Sequence, residues 1–507
     1  MPRLRETTQI DWLVITASSR AQAAGYRQNL RERASRGALA SVRRWLVVPD
    51  PHDKRAGSGN ATLVALARVL GARLAELRRE RKRPASIQGI LEGQRLLIIH
   101  SGGDSRRLTA YAACGKLFLP LDRRDPSGTP LSMFDLILRD LVSVHLRGTN
   151  PGSTLIASGD VLLNASAHTI DLKSPGITGV AFRAPVETAR RHGVYVPDAS
   201  GRVKMYLQKP NQEAMRREGA LARDGRALVD SGIVVLDKPT VLRLVRSFGL
   251  TLDAGRERLR FQPPFTRIIE ASSPPMDLYA DVLLAAAGET SKLPMLAEAL
   301  RSVSFNVRII PSCDFLHVGT TAELLSLAIS DRRLRDTSNI APGPVVLATA
   351  GHSRITAGVN CWIDACSFQK AARFQGDNVA VGIEADRPFS MPQGWGAVIL
   401  PLTRGGFVGI AFGKSDDFKT PIEQGGTLGG KPLIEQVRRA ERMSITDRAC
   451  SLYDAPRRTH STSIESPLVE SPSCLVRRPG PRPRPASISR GAGRTRHRSA
   501  TTSAEQS

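Results

Sequence analysis

The first part of the chain alternates short apolar runs with longer polar or amphipathic segments. Residues 11–18 (DWLVITAS) and 45–50 (WLVVPD) are apolar runs rich in β-branched residues, and both have the length of strands. A polar segment from Arg20 to Arg36 follows the first run. After the second run, a glycine-rich loop leads into a long apolar-periodic helix that ends near residue 77. Strands that alternate with helices predict an α/β fold, here with a mixed sheet.

This pattern continues to about residue 313 and then changes. Further apolar runs that predict strands lie at residues 95–108, 154–163, 176–182, 202–210 and 231–237. Between residues 342 and 428, short β-rich pieces and glycines recur without a long helical pattern, which predicts a β-solenoid-like domain of stacked short strands. We therefore expect three parts: an α/β domain over residues 10–320, a β-solenoid-like C-terminal domain over residues 321–450, and a disordered Pro/Ser/Arg-rich tail over residues 451–507.

Composition and charge narrow the class of protein. The 507 residues are 41% hydrophobic and 23% charged, which excludes a wholly disordered chain, and no apolar run has the length of a membrane-spanning helix. Polar and acidic residues precede the first apolar run, the wrong order for a secretory signal, so we expect a cytoplasmic protein without a membrane partner. The net charge of +25 favours anionic partners such as nucleotides, sugar phosphates or RNA. Nucleic acid is disfavoured because aromatic residues are only 5% and no RNP-like or zinc motif is present.

The strongest candidate site lies in residues 98–121 (IIHSGGDSRRLTAYAACGKLFLPL). A strand ends at Gly102 and Gly103, where the backbone can approach a ligand closely and present amide donors to anionic oxygens. Three basic residues that suit phosphate oxygens follow this turn: Arg106, Arg107 and Lys116. The residue after the lysine is neither Ser nor Thr, which disfavours a P-loop ATPase. The alternative is a tight turn with two solvated arginines.

A second glycine-rich turn, GSGNAT (57–62), precedes the long helix, which we expect to begin near Leu63. Amides at a helix N-terminus can bind phosphate or a base. The candidate nucleotide-binding residues of this turn are Gly57, Ser58, Gly59, Asn60 and Thr62. A Rossmann dinucleotide domain is the alternative fold. However, GSGNAT is not GxGxxG, and no acidic residue ends a well-defined following strand as that fingerprint requires.

A candidate metal ligand, Asp160, closes the run TLIASGD at the C-terminal end of a predicted strand. Ligands of open α/β sheets lie at that edge, so Asp160 is placed to hold a Mg²⁺ ion bound to phosphates. The alternative role for this aspartate is a turn former or helix cap.

Weaker candidates lie further along the chain. Lys209 stands where Pro210 stops a strand, and Asp230 precedes a buried strand; both are candidates for binding a sugar phosphate, with a surface lysine and a turn-forming aspartate as the alternatives. Asp277 and Asp281 lie at the start of an apolar helix, where we expect one of them to be a cap, with a metal or sugar role as the alternative.

Seven segments together resemble the fucose-1-phosphate guanylyltransferase family, including the pyrophosphorylase half of bifunctional fucokinase/GDP-fucose pyrophosphorylases. They are DWLVITAS, RAGSGNATLVAL, IIHSGGDSRRLTAYAACGKLFLPL, SGDVLL, DSGIVVLD, MDLYADVLLA and DFLHVGTTAEL. The resemblance covers roughly residues 10–450, and the spacing GGxxxRx(8)K matches the signature of sugar nucleotidyltransferases. It implies a nucleotidyltransferase-type, Rossmann-like domain that forms a GDP-sugar and pyrophosphate from GTP and a sugar 1-phosphate.

The resemblance also assigns roles to the candidate residues. It implies that the first glycine turn, its arginines and Lys116 contact the triphosphate, with Arg107 and Lys116 catalytic, and that Asp160 holds Mg²⁺. The second glycine turn would lie against the nucleotide. Bifunctional members continue into a sugar-kinase domain, and nothing after Cys450 resembles one. A truncated or degenerate relative without full activity is therefore one alternative, and a basic nucleic-acid-binding protein is the other.

Overall fold

The computed structural model describes residues 9–101, 103, 105, 107–165, 170–289, 293–311, 313–330, 344–401, 406–418 and 420–435. The predicted tail at 451–507 lies outside these residues. The helices are α1 Arg20–Ser35, α2 Ser58–Arg79, α3 Ile87–Ile90, α4 Met133–Gly148, α5 Val186–Ala189, α6 Gln212–Arg217, α7 Lys238–Ser247, α8 Phe265–Ile269, α9 Leu284–Ala286, α10 Pro294–Leu300 and α11 Thr321–Ser330. The strands of the first part are β1 Trp12–Ala17, β2 Trp45–Pro49, β3 Leu96–His100, β4 Pro120–Arg124, β5 Pro130–Ser132, β6 Thr154–Ser158, β7 Val161–Ala165, β8 Ile177–Pro185, β9 Gly193–Pro197, β10 Val203–Gln208, β11 Arg226–Leu236, β12 Leu250–Asp253, β13 Arg258–Phe261, β14 Phe305–Ile310 and β15 Cys313–His317. The later strands are β16 Val345–Leu347, β17 Ile355–Ala357, β18 Trp362–Asp364, β19 Ser367–Phe368, β20 Ala372–Phe374, β21 Val379–Val381, β22 Glu384–Ala385, β23 Phe389–Met391, β24 Trp395–Pro401, β25 Phe407–Gly413, β26 Thr427–Leu428 and β27 Lys431–Pro432.

A nine-stranded mixed sheet forms the centre of the first part. Its order is β10-β9-β11-β6-β3-β1-β2, with β8 beside β11 and β14 beside β8. Strands β1, β2, β3 and β6 run parallel, whereas β11 is antiparallel to β6, β8 and β9. The α/β class and the mixed sheet expected from the apolar pattern are thereby confirmed.

Both faces of this sheet are covered, which explains why its parallel strands are apolar throughout. Successive residues of a strand point to opposite faces. In β1, Leu13 and Ile15 pack in a core shared with α1 and α4, while Trp12 and Val14 pack in a core shared with α2 and α7. Among the residues that the structure describes, no helix is both long enough and apolar enough to cross a membrane.

Helix α2 begins at Ser58, so the expected start near Leu63 is wrong. The residue before it, Gly57, has φ of +81°, and a Cβ there would collide with the carbonyl oxygen of Met276. The same oxygen accepts hydrogen bonds from the amides of Gly59 (2.8 Å) and Asn60 (3.3 Å). The first turn of the helix therefore forms where the chain docks against the backbone near Met276, before its apolar periodicity starts.

The β-rich part stacks short parallel strands at a constant spacing. Val345 pairs with Trp362, Trp362 with Val379, and Val379 with Gly396. Side-chain contacts such as that of Cys361 with Asn378 repeat the same spacing of 17 residues. Two further parallel sets, β17-β20-β23 and β19-β22, run alongside. The stacked short strands expected for residues 342–428 are therefore present from β16 to β24, with a more regular period than the sequence suggests, whereas β25 pairs with β24 and β27 with β26 in antiparallel fashion.

Candidate functional site

A small cleft lies where the parallel strands β1, β3 and β6 end. The register of these strands places Thr16 beside His100 and His100 beside Ser158. Ligands of open α/β sheets bind at this carboxyl edge. The cleft is lined by His100, Ser101, Gly103, Ser105, Lys116, Gly159 and Asp160.

Asp160 and Lys116, two of the predicted site residues, meet in this cleft. Lys116 Nζ lies 3.1 Å from Asp160 Oδ2, with 18% and 26% of the two side chains exposed. Ser158 Oγ donates a hydrogen bond of 2.6 Å to Asp160 Oδ1. The apolar run 154–163 does not form one strand as expected. It is divided at Gly159, whose amide donates to the carbonyl oxygen of His100, and Asp160 lies in the turn that results.

His317 and Glu323 extend this pair of charges, and sequence reasoning missed both. His317 Nε2 lies 3.4 Å from Asp160 Oδ2, and His317 Nδ1 lies 3.3 Å from Glu323 Oε2. His317 ends β15, which pairs with β7 so that His317 is opposite Val161, the residue after Asp160. The signal in the sequence was a histidine at the end of the apolar run in DFLHVGTTAEL, a segment used above only for its resemblance.

Hydrogen bonds and neighbouring charges hold Asp160, His317 and Glu323 in their charged forms. Burial favours the neutral form of His317, but hydrogen bonds to Asp160 and Glu323 outweigh it and raise the pKa of His317 to about 9. Burial likewise opposes ionisation of both carboxyl groups. Nevertheless, the hydrogen bond to His317 and the charge of Lys116 hold the pKa of Asp160 well below its usual range, and His317 lowers the pKa of Glu323 to about 2. At neutral pH the charges along this row therefore alternate in sign.

His100 forms part of the cleft floor and connects it with the second glycine-rich turn. Its Nδ1 lies 3.2 Å from Thr16 Oγ1, and its Nε2 lies 2.9 Å from Thr62 Oγ1. Burial lowers the pKa of His100 to about 4, so the ring is neutral at pH 7. Thr62, a predicted nucleotide-binding residue, is thus in contact with a residue that lines the cleft.

The other polar groups of the GSGNAT turn bind within the chain. Asn60 Nδ2 donates to the carbonyl oxygens of Ala56 and Pro274, each at 3.0 Å. Ser58 Oγ donates to Asp277 Oδ2 at 3.0 Å. These contacts fix the turn beside the cleft. A direct nucleotide contact stays a prediction for each of its candidates: Gly57, Ser58, Gly59, Asn60 and Thr62.

Asp277 is a helix cap, which confirms the expectation that one of the two aspartates at 277 and 281 has this role. Its Oδ1 accepts hydrogen bonds from the amides of Tyr279 (2.8 Å) and Ala280 (2.9 Å) at the start of the π-helical turn Leu278–Leu283. Asp281 Oδ2 in turn accepts a hydrogen bond of 2.6 Å from the amide of Asp277.

Lys209 and Asp230, the candidates for a sugar phosphate, differ in their surroundings. Lys209 is exposed, has φ of +49°, and donates its amide to the carbonyl oxygen of His192. Asp230 is only 5% exposed and accepts hydrogen bonds from Tyr206 Oη (2.7 Å) and the amide of Gly232 (2.8 Å). Burial raises the pKa of Asp230 to about 6. Contact of either residue with a sugar phosphate stays a prediction.

The loop from Gly103 to Lys116 forms the other wall of the cleft. Gly103 is exposed with φ of +131°, a conformation that glycine adopts readily. The side chain of Arg107 is exposed, and its carbonyl oxygen accepts a hydrogen bond of 2.9 Å from the amide of Thr321. Gly102 and Arg106 lie outside the described residues.

Asp160 is the carboxylate that would hold a Mg²⁺ ion shared with a phosphate ligand, and this role stays a prediction. Mg²⁺ usually keeps several waters and binds one or two carboxylates together with substrate phosphates. Asp160 supplies one carboxylate at the ligand-binding edge. Among the residues that the structure describes, no group of three or more His, Cys, Asp or Glu side chains could hold a metal by itself.

Fold and site together define an α/β protein with a polar cleft at the carboxyl ends of parallel strands. A family model described as the fucose pyrophosphorylase domain matches residues 88–456, and the chain belongs to this family. The resemblance inferred from the sequence is thereby confirmed.

Characterised relatives agree with this family. The chain is 29% identical over 470 residues to the bifunctional fucokinase/GDP-fucose pyrophosphorylase of Arabidopsis thaliana, covering 83% of this chain and 44% of the relative. It is 25% identical over 448 residues to the L-fucokinase/L-fucose-1-P guanylyltransferase of Bacteroides fragilis, covering 84% and 43%. It is 27% identical over 362 residues to the fucose-1-phosphate guanylyltransferase of Homo sapiens, covering 64% and 56%. The chain thus spans about half the length of these relatives.

Proposed function

We propose that this chain is a sugar-1-phosphate guanylyltransferase that forms GDP-L-fucose, or a similar GDP-sugar, and pyrophosphate from GTP and the sugar 1-phosphate. The observation that carries the proposal is the contact between Lys116 and Asp160 in a cleft at the carboxyl edge of the sheet. Family membership and the names of the relatives support the choice of substrates.

The proposed reaction is an in-line displacement at phosphorus. An oxygen of the sugar phosphate forms a bond to the α-phosphorus of GTP, and the bond from that phosphorus to the oxygen bridging to the β-phosphorus breaks. Pyrophosphate leaves with the bridging oxygen and its electron pair. A phosphate monoester has a second pKa near about 6, so the nucleophile is already ionised at neutral pH and no general base is required. Catalysis then consists of positioning and charge neutralisation.

The chain supplies the charges for this step. Lys116 is a compact cation on a flexible stem, and it can move from Asp160 to phosphoryl oxygens that enter the cleft. Asp160 then keeps His317 as a charged partner, because the pKa of His317 is raised to about 9 by hydrogen bonds that outweigh burial. Arg107 extends the positive wall and suits bidentate contact with phosphate. When bound to Asp160 and the phosphates, Mg²⁺ would neutralise charge that develops on the phosphate oxygens.

The proposal includes a finer description of the architecture. The sheet of residues 10–320 would be the Rossmann-like, nucleotidyltransferase-type domain, with GTP across the ends of β1, β3 and β6. Residues 321–450 would be a β-solenoid-like domain whose turns are the 17-residue units. The parallel pairing of β16, β18, β21 and β24 supports this assignment.

The decisive experiment measures pyrophosphate release by the purified chain with GTP, Mg²⁺ and L-fucose 1-phosphate. Other sugar 1-phosphates and ATP serve as competing substrates, and the Lys116→Ala variant controls for contaminating activity. We expect release that depends on both substrates and on Lys116. Release no faster than that of the variant would contradict the proposal and favour a non-catalytic relative or a basic nucleic-acid-binding protein.

A further inference from the structure

The β-rich part of the chain, whose strands lie within residues 345–432, packs against the loop that carries Lys116 and hydrogen-bonds to one buried side chain of that loop. Tyr111 lies in the short helical turn Thr109–Tyr111, midway along that loop. Its hydroxyl donates a hydrogen bond of 2.7 Å to Asp364 Oδ2 and accepts one of 2.9 Å from Trp362 Nε1. The three residues are 4%, 7% and 0% exposed, so these polar groups meet where water does not compete.

The geometry of β18 explains how one short strand supplies both partners. Trp362 and Asp364 are two residues apart and therefore point to the same face of the strand, towards Tyr111. Ile363, between them, points the other way into the core of the β-rich part. Strand β18 pairs on both sides, with β16 and β21, so the two partners are held on a rigid element.

Backbone hydrogen bonds connect Tyr111 with the segment that carries Lys116. The carbonyl oxygen of Tyr111 accepts a hydrogen bond of 2.9 Å from the amide of Gly115, and the carbonyl oxygen of Lys116 accepts one of 3.0 Å from Leu119. Gly115 has φ of +77°, and a Cβ there would collide with the hydroxyl of Tyr26 in α1. The loop is thus held between α1 on one side and the β-rich part on the other.

The start of the loop, after β3, is also held by hydrogen bonds. The hydroxyl of Tyr26 lies 3.0 Å from Ser101 Oγ, just after β3. The amide of Thr321 at the start of α11 donates to the carbonyl oxygen of Arg107. Of these hydrogen bonds, only those of Tyr111 come from the strands within residues 345–432, so side-chain substitution at Tyr111, Trp362 or Asp364 removes them while the apolar packing of those strands against the loop remains.

We propose that Tyr111, Trp362 and Asp364 are positioning residues through which the β-rich part of the chain fixes the loop that presents Lys116 to Asp160. The inference rests on the guanylyltransferase function proposed above. It gives the β-rich part a role in catalysis, although none of its described residues lines the cleft that holds Lys116 and Asp160. A displacement of about 1 Å at a reacting group can cost a factor of about 10² in rate, so loss of this restraint should affect turnover.

The test uses substitutions that separate positioning from stability. Tyr111→Phe removes the hydroxyl and keeps the ring, and Asp364→Leu removes the acceptor. Asp364→Asn keeps an acceptor oxygen for the tyrosine hydroxyl and is the conservative variant. Asn378→Ala is the matched control, because Asn378 is a fully buried polar residue of the same β-rich part that bonds to Pro392 and Trp395 and not to the loop.

Two readouts are measured on the full chain: kcat and KM for pyrophosphate release, and hydrogen exchange of the peptide covering residues 111–119. We expect Tyr111→Phe and Asp364→Leu to lower kcat by about tenfold or more and to speed exchange of the Gly115 and Leu119 amides. The double variant should be no slower than the worse single variant, since both remove one interaction. Asp364→Asn should retain most of the wild-type kcat, and Asn378→Ala should lower Tm without changing kcat per folded molecule.

Several results would overturn the inference. These are unchanged kcat in Tyr111→Phe and Asp364→Leu, faster loop exchange with unchanged kcat, or a loss of kcat that Asn378→Ala reproduces at an equal loss of Tm. If Tyr111→Phe does not fold, Trp362→Phe removes the other bond to the same hydroxyl and takes its place. If the wild-type chain releases no pyrophosphate, the proposed function fails, whereas hydrogen exchange still decides whether the β-rich part restrains the loop.

Discussion

Lys116 Nζ lies 3.1 Å from Asp160 Oδ2, although 44 residues separate the two along the chain. The loop after β3 carries the lysine, and the turn after β6 carries the aspartate. Because β3 and β6 are adjacent and parallel, their carboxyl ends bring the two segments to one edge of the sheet. In the proposed function, this cation and this carboxylate, which compensate each other in the free protein, would contact the phosphates of GTP and their metal ion.

Replacement of Lys116 by alanine tests the cationic half of this pair. We expect kcat for pyrophosphate release to fall by about 10² or more, the effect of removing one preorganised charge donor. Lys116→Arg should recover only part of the activity, because a planar fork replaces a point charge. Both variants should still fold, since Asp160 keeps Ser158 and His317 as partners. Wild-type kinetics in the alanine variant would contradict the assignment of this cleft as the phosphate-binding site.

The sequence predicted the position of these two residues at the edge of the sheet because each belongs to a local pattern, whereas their roles stay predictions. A strand followed by a glycine turn or by an aspartate places its end at the ligand edge of an α/β sheet, whatever the rest of the chain does. His317 could not be assigned in this way, because its neighbour depends on the pairing of β15 with β7, two strands far apart in sequence. No local signal gives that register.

The start of α2 and the 17-residue spacing of the β-rich strands also could not be predicted from local sequence patterns. Helix periodicity begins at Leu63, but the first turn forms earlier because the carbonyl oxygen of Met276 accepts the amides of Gly59 and Asn60. The 17-residue spacing of the β-rich strands is obscured in the sequence, since their interior accepts residues as different as Cys361, Phe374 and Met391. For α2, the deciding contact comes from Met276, a residue remote in sequence.

Replacement of Asp160 by asparagine tests the metal role. The substitution keeps the shape and one acceptor oxygen for Ser158, so the protein should fold, but it removes the charge that a divalent cation needs. We expect turnover to fall steeply and the Mg²⁺ concentration for half-maximal activity to rise. Kinetics measured over a range of Mg²⁺ concentrations check this.

Asp277→Asn is the matched control for Asp160, because Asp277 caps a helical turn next to the cleft. It should leave the Mg²⁺ requirement almost unchanged, and Tm should change little because asparagine caps helices about as well as aspartate. If instead Asp160→Asn keeps its activity and an unchanged Mg²⁺ requirement, the carboxylate is a turn former, and Asp277 becomes the next candidate ligand.

His317→Gln tests the third member of the row of charges. Glutamine can still donate a hydrogen bond to Asp160 but carries no charge, so the carboxylate loses one of its two cationic partners. We expect kcat to fall by about tenfold or more, as for other preorganised charges. His192→Gln is the control: its ring lies 5.6 Å from that of His317, and its pKa is lowered to about 4, first by burial and then by the charge of His317. Removal of this neutral ring should have the smaller effect, and equal losses in the two variants would show that charge at residue 317 is unimportant.

Asp230 predicts how stability depends on pH. Burial raises its pKa to about 6 in the folded protein, from 3.8 for a free side chain. The folded state therefore holds the proton more tightly, and the stability that this gives is fully present below pH 3.8 and is lost as the pH rises through 6. At about 1.4 kcal/mol per pKa unit, the loss amounts to about 3 kcal/mol. Asp230→Asn cannot ionise. As the pH rises from 4 to 7.5, its free energy of unfolding, measured with urea, should therefore increase relative to that of the wild type by about this amount.

Asp224→Asn is the control, because Asp224 is exposed on the turn before the same strand and its removal relieves no burial. Parallel stability curves for Asp230→Asn and the wild type over this range would show that Asp230 is already ionised when folded, and that Tyr206 and the amide of Gly232 are sufficient to stabilise its charge.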